Sequence, residues 1–211
     1  MERLVCLLIG YIFGLFQTGY LYSRSKHMDI RNYGSGNSGS TNVLRVMGKK
    51  AGLIVFLGDA GKMIAACLIT RVLFRSQPEL LYVYLLYTGF GVILGHNFPF
   101  YMEFKGGKGI AASAGLLAST DWRVMLVCLV VFVAAVAITR YVSLGSILVM
   151  ICFFIGMVFF GARGDFGIGA AHLTEFYVLA GLISAMGIWR HHTNIKRLLS
   201  GTENKLGARK E

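Results

Sequence analysis

Four polar stretches interrupt an otherwise apolar chain, and their residue types suit the binding of an anion. The first runs Tyr33-Gly-Ser-Gly-Asn-Ser-Gly-Ser-Thr-Asn-Val-Leu-Arg45. Gly34, Gly36 and Gly39 let several backbone N–H groups turn toward one point, while Ser35, Asn37, Ser38, Ser40, Thr41 and Asn42 add side-chain donors. That combination fits phosphate. A nucleotide P-loop is excluded, because Ser40 and Thr41 follow Gly39 with no Lys and no βαβ context surrounds them. A plain Gly/Ser connector leaves Asn37, Thr41, Asn42 and Arg45 unexplained. The second stretch, from Gly95-His96-Asn97 through Lys105-Gly106-Gly107-Lys108-Gly109, places a flexible backbone and two cations at the start of a short helix, a second anion site. His96 stands beside an aromatic-Pro turn as a candidate for the same site. The third is Arg140-Tyr-Val-Ser143, continuing to Ser146. In the fourth, His191, Asn194 and Arg197 recur at three-residue steps and would share one helix face. The alternative for this last segment is a basic tail attracted to anionic lipid.

The elements that must position these residues are membrane spans. The chain has 211 residues, 55% hydrophobic and only 15% charged, against roughly 25% charged in an ordinary soluble domain. This composition excludes disordered and collagenous chains. The 21 Lys and Arg against 10 Asp and Glu give a net charge of +11, which in a soluble protein would suggest nucleic acid. Basic cytoplasmic loops of a multi-pass protein give the same excess, so the expected partner is membrane lipid and not nucleic acid. Cys6, Cys67, Cys128 and Cys152 lie in apolar runs with no C-x-x-C pair, so neither disulfide, metal site nor cofactor is expected.

With ~20 apolar residues needed per crossing, spans are expected at 4–22, 51–74, 82–102, 122–139, 142–162 and 172–190, the first of them retained and not a cleaved signal. Ile110 to Thr120 is too short to cross in the usual way and reads as a half-depth or re-entrant helix. Counting it as a seventh segment, with the N-terminus outside, puts fifteen of the 21 Lys and Arg in inside loops and five outside, Lys62 lying within a span. Six segments would send the basic cluster from Arg190 to Lys210 outside, against the rule. The expectation is therefore an all-α membrane protein, one domain over 1–211, with seven segments (the fourth short), the C-terminus cytoplasmic and all four polar stretches on one face. Asp59 and Lys62, three apart in the second span, read as a structural ion pair at least as readily as a substrate contact.

The run Ser35 to Asn42 with Arg45, then Gly95-His-Asn-Phe-Pro99 and Phe104-Lys-Gly-Gly-Lys-Gly109, then Arg140-Tyr-Val-Ser-Leu-Gly145, then His191-x-x-Asn194-Ile-x-Arg197, resembles the bacterial integral-membrane acyl-phosphate:glycerol-3-phosphate acyltransferase family. The resemblance implies a seven-segment fold in the bacterial cytoplasmic (inner) membrane, N-terminus outside, with the active site facing the cytoplasm. It implies acyl transfer from acyl phosphate to the glycerol 1-hydroxyl of glycerol 3-phosphate, giving lysophosphatidate and phosphate, the first acylation of phospholipid synthesis. By motif it assigns critical roles to Ser35, Arg45, His191 and Asn194, glycerol 3-phosphate binding to Lys105 through Gly109, and a structural role to Glu203. Ser40 stands where the family commonly has Ala.

Substrate contacts are further expected from Asn37, Gly39, Thr41, Asn42, His96, Arg140 and Ser143. Arg45 with Lys105 or Lys108 is expected to hold two phosphate groups, and the glycine-loop N–H groups to stabilise the acyl oxyanion. The general base is left between His191 and the departing phosphate. The H-x-x-x-x-D dyad of acyltransferases that use soluble donors is absent, since Tyr101 stands five residues after His96. A transporter of phosphorylated solutes is the rival reading, and it lacks an inverted repeat. A non-catalytic scaffold using the Gly10/Gly14 and Gly91/Gly95 faces ranks third.

Overall fold

The computed structural model describes residues 1–207, so Arg209 and Lys210 of the basic C-terminal cluster lie outside the described residues. It holds ten α-helices: α1 (Glu2–Gly14), α2 (Thr18–Arg24), α3 (Ser40–Met47), α4 (Lys49–Leu73), α5 (Leu81–Asn97), α6 (Ile110–Thr120), α7 (Trp122–Thr139), α8 (Val142–Ala162), α9 (Leu173–Trp189) and α10 (His192–Leu199). No strand occurs among the described residues. The seven expected segments are α1 with α2, then α4, α5, α6, α7, α8 and α9. The 11 residues of α6 rise only about 16 Å, roughly half the hydrocarbon core. Leu53, Leu57, Leu68 and Val72 of α4 and Val127, Val130 and Ile138 of α7 turn outward, as bilayer-facing surfaces do and soluble ones rarely afford.

The first span is broken where the sequence suggested one helix over 4–22. Between α1 and α2 the buried Gln17 donates from Nε2 to the carbonyls of Gly14 (3.1 Å), Gly95 (3.3 Å) and His96 (3.0 Å). Lys62 Nζ donates to Phe16 O at 2.6 Å. Gln17 and Lys62 thus satisfy the Gly14 and Phe16 carbonyls that the interrupted helix leaves open, as membrane depth requires. The third span also ends early, at Asn97 and not at 102, because Phe98 precedes Pro99 and leaves the helical region with φ −133° and ψ 58°. A 3-10 turn at Phe100–Met102 follows. Half of the first polar stretch, read as a loop, is helical in α3.

The two small-residue faces pack on each other. A Cβ at Gly10 would stand 2.1 Å from Thr88 O, and one at Gly91 2.3 Å from Leu7 O, so α1 and α5 touch backbone to backbone. Phe153 and Met157 of α8, Phe176 and Ile183 of α9, Leu86 of α5 and Leu116 of α6 fill the main core. At the end of the bundle remote from the polar stretches, Arg3 grips Glu175 in a two-pronged pair (2.5 and 2.8 Å), and Arg123 joins Asp121 (2.7 Å) to Asp165 (2.8 Å). At the opposite end α3, α6, α8 and α10 all begin.

Candidate active site

Those four helix starts surround a cleft of about 830 Å³, counting its open mouth. Gly39, Ser40 and Thr41 open α3, Ile110 and Ala111 open α6, Val142 and Ser143 open α8, and His191 with Asn194 opens α10. Each start presents backbone N–H groups without helical partners and the positive end of a dipole. The cleft floor is therefore electropositive before any side chain is counted. Sequence disclosed the start of α6 after its glycine-rich run and that of α8 as a span beginning at 142, whereas the start of α3 was read as loop. The convergence of all four depends on tertiary packing.

The first loop is built around Asn42, whose Oδ1 accepts from Ser35 N (2.8 Å) and whose Nδ2 donates to Tyr33 O (3.0 Å) and Asn37 O (2.9 Å). Asn37 accepts from Gly39 N at 2.9 Å and reaches across to Gly106 O at 3.5 Å. These bonds hold Ser35 and the start of α3 on the cleft wall. The amide of Asn42 is engaged within the loop, so it shapes the site from behind.

The second loop folds back on the end of α5: Gly106 N donates to Asn97 O (3.1 Å) and Gly107 N to His96 O (3.0 Å). Arg190 Nη2 ties it down through Gly106 O (3.2 Å) and Gly107 O (2.7 Å). The expectation that Gly106 and Gly107 offer free N–H groups to an oxyanion is thereby corrected, because both donors are already paired. Gly109, at φ +81°, turns the chain into α6 in the left-handed region that glycine enters without strain. That turn sends Lys108 inward, where Nζ bonds Asn194 Oδ1. Lys105 instead lies 75% exposed, paired with Glu103 at 2.9 Å.

The fourth stretch closes the far wall. Glu203 accepts from Ser143 Oγ (3.1 Å), Asn194 Nδ2 (2.8 Å) and Arg197 Nε (2.7 Å). Burial works against its charge, but the bonds from Arg197 and Asn194 outweigh it and hold the carboxyl below its ordinary pKa. Arg45, exposed at the cleft, donates to Asn204 O at 3.3 Å. Arg140 holds the strap after α10 through Leu206 O (3.1 and 2.7 Å) and does not line the cleft. Burial pushes the Lys108 amine down to about 8, aided by the Arg197 charge. Burial and then the Lys108 charge push His191 down to about 4, so its imidazole is neutral at neutral pH. His191 Nδ1 lies 2.7 Å from Gly187 O. A carbonyl only accepts, so Nδ1 carries the proton and Nε2 keeps its lone pair.

Of the residues singled out from sequence, Ser35, Asn37, Gly39, Thr41, Asn42, Arg45, His96, Lys108, Gly109, Ser143, His191 and Asn194 all line this one cleft. Lys105, Gly106, Gly107 and Arg140 do not. Arg197 and Glu203 line it as well, and so does Asp59, which forms the expected ion pair with Lys62 at 3.0 Å. The sequence did not disclose the apolar wall of Phe56, Ile110, Phe132 and Val142, since residues facing a cleft and residues facing lipid have the same composition. No group of three or more His, Cys, Asp or Glu placed to hold a metal ion occurs among the described residues.

A family profile described as glycerol-3-phosphate acyltransferase matches residues 4–201. Glycerol-3-phosphate acyltransferase of Clostridioides difficile (strain 630) is 40% identical over 211 residues, covering 99% of this chain and 97% of the relative. That of Thermoanaerobacter sp. (strain X514) is 36% identical over 213 residues, covering 100% and 99%. Two crystal structures of PlsY (YgiH), an integral membrane glycerol 3-phosphate acyltransferase, superpose on the fold. The glycerol 3-phosphate form gives a TM-score of 0.83 at 34% identity, and the lysophosphatidic acid form 0.81 at 33%, each covering 98% of this chain and 96% of PlsY. With its sequence matched end to end and its helices superposing on a solved member, the chain belongs to the glycerol-3-phosphate acyltransferase family of integral membrane enzymes.

Proposed function

We propose that this enzyme transfers a fatty acyl group from acyl phosphate to the 1-hydroxyl of glycerol 3-phosphate, releasing lysophosphatidate and inorganic phosphate at the cytoplasmic face of the bacterial inner membrane. The observation that carries this reading is the composition of this cleft. Its floor joins four helix starts to Arg45, Lys108 and Arg197, while Phe56, Phe132 and Val142 make an apolar side. Phosphate groups fit the first surface and an acyl chain the second.

Both substrates bring a phosphate, and Arg45 and Lys108 hold them, Lys105 being turned away. Ser35 and the first N–H groups of α3 and α6 donate to phosphate and carbonyl oxygens, and Asn194 orients Lys108. The glycerol hydroxyl donates to His191 Nε2, which aligns it for direct attack on the acyl carbon. The C–O bond to phosphate then breaks. The hydroxyl proton passes to the departing phosphate, whose basicity rises as it leaves, because a histidine held near pKa 4 is the weaker base. No acyl-enzyme is needed, and Ser35 acts as a donor.

The test is the full-length protein in lipid, offered glycerol 3-phosphate with either palmitoyl phosphate or palmitoyl-CoA. Lysophosphatidate and phosphate from the acyl phosphate alone are expected. Equal product from palmitoyl-CoA would overturn the donor assignment, and trapping an acyl group on Ser35 would overturn direct attack.

A further inference from the structure

Asp59, Lys62 and His96 form a buried cluster that reaches the cleft through Asp59 and His96, and the mechanism above assigns nothing to it. They are 1%, 6% and 3% exposed. Lys62 Nζ lies 2.6 Å from Phe16 O, 3.0 Å from Asp59 Oδ1 and 2.8 Å from His96 Nδ1, with a longer 3.4 Å approach to Gly14 O. Thr18 Oγ1 also donates to Asp59 Oδ1, at 3.0 Å. An intramembrane ion pair needs Asp59 and Lys62 alone; the contact to His96 is additional.

Proton bookkeeping at Lys62 fixes the state of His96. An ammonium has three protons, and the three short contacts take one each. A backbone carbonyl and a carboxylate can only accept, so the third proton points at His96 Nδ1, which must offer its lone pair. The imidazole then carries its one proton on Nε2. The opposite arrangement, Nδ1–H donating to a neutral amine, leaves the buried Asp59 carboxylate without a cation, which is costly. An imidazolium would set Nδ1–H against the ammonium hydrogens, with Arg190 a further positive charge nearby. Nε2 lies against Gly107, where a Cβ would come within 2.1 Å of it, and His96 lines the cleft.

We infer that Lys62 is a positioning residue that fixes His96 as a neutral imidazole protonated on Nε2, giving the cleft a hydrogen-bond donor for an anionic substrate oxygen. His96 and His191 are then both neutral but of opposite tautomer, one donating into the cleft and one accepting from it. A neutral donor keeps its proton, as catalysis by polarisation requires. The identity of the oxygen rests on the acyl-transfer reading; the tautomer does not.

The experiment is ¹⁵N NMR of histidine-labelled full-length protein in lipid, with His96 assigned among the five histidines by a His96→Gln variant. Wild-type His96 is expected to show a protonated Nε2 and an unprotonated Nδ1 at pH 7. In Lys62→Met a population protonated on Nδ1 should appear, and Lys62→Arg, which still donates, should restore the wild-type pattern. In the acyl-transfer assay Lys62→Met should lower kcat about tenfold to a hundredfold, the usual range for a group that orients an active side chain, with KM changed far less. An imidazolium or an Nδ1–H form in the wild type overturns the inference, as does an unaltered His96 signal in Lys62→Met. Should Lys62→Met not fold, the wild-type spectrum still decides the tautomer and Lys62→Gln replaces it for the second half. The spectrum needs no substrate, so absence of acyl transfer with the expected tautomer would sink the transfer reading and leave this one standing.

Discussion

At the scale of single residues, the site discriminates between groups that composition cannot separate. Lys105 and Lys108 are three positions apart in one glycine-rich run, yet one is paired with Glu103 at the surface and the other is buried against Asn194. The difference has a pH signature. Lys108 must be charged to hold phosphate, and burial brings its pKa to about 8. The charged form is present below that value and lost above it, so kcat/KM is expected to fall as pH rises through about 8. A bound phosphate favours the ammonium, so kcat should stay level to higher pH. Lys108→Met should abolish this alkaline limb together with most activity, whereas Lys105→Met should keep the limb in place; rate profiles from pH 6 to 10 decide. His191→Ala should lower kcat by about tenfold to a hundredfold, the loss of one hydrogen bond in a desolvated site. Near-wild-type kcat in that variant would remove His191 from alignment of the hydroxyl.

At the scale of elements, the sequence disclosed the loops better than the helices between them. Serines, asparagines, glycines and cations were conspicuous in an apolar chain, and their types alone pointed to an anion. The break at Gln17 was not legible, because Leu4 to Tyr22 contains no proline and only Gln17 and Thr18 interrupt its apolar and glycine pattern. What breaks the helix comes from elsewhere in the chain: the carbonyls of Gly95 and His96 that Gln17 meets, and the Lys62 ammonium. The short helix α6 was legible from length. The convergence of four helix starts was not, since it depends on which helices pack side by side.

The glycine loop shows how element and residue meet. Gly107→Ala places a methyl 2.1 Å from His96 Nε2, and the imidazole must move off its Lys62 partner. Activity should drop at least about tenfold while the protein still folds, a result read from the assay beside a thermal melt. Gly91→Val meets the Leu7 carbonyl at 2.3 Å, where neither backbone can yield. There the expected loss is of stability, on the order of 1–3 kcal/mol for overpacking, with a lowered melting temperature in detergent.

At the scale of the whole molecule, the two ends of the bundle are chemically opposite. One carries the cleft, the helix starts and most of the Lys and Arg; the other is closed by the Arg3–Glu175 and Arg123–Asp165 pairs. The charge asymmetry is what supports the proposed cytoplasmic placement of the cleft end. Cysteine labelling tests this directly. Cys6, Cys67 and Cys128 are buried and Cys152 is half-buried within α8, so a membrane-impermeant maleimide meets little native background. Ser25, after α2, and Ser76, between α4 and α5, are both exposed and stand at opposite ends. A Ser76→Cys variant should be modified in spheroplasts and protected in inverted vesicles, and Ser25→Cys should show the reverse. The opposite pattern would face the cleft away from the cytosol, and glycerol 3-phosphate made inside the cell would then have no route to Arg45 and Lys108. Acyl transfer to an internal acceptor would fail with it, however well the chemistry of the cleft were arranged.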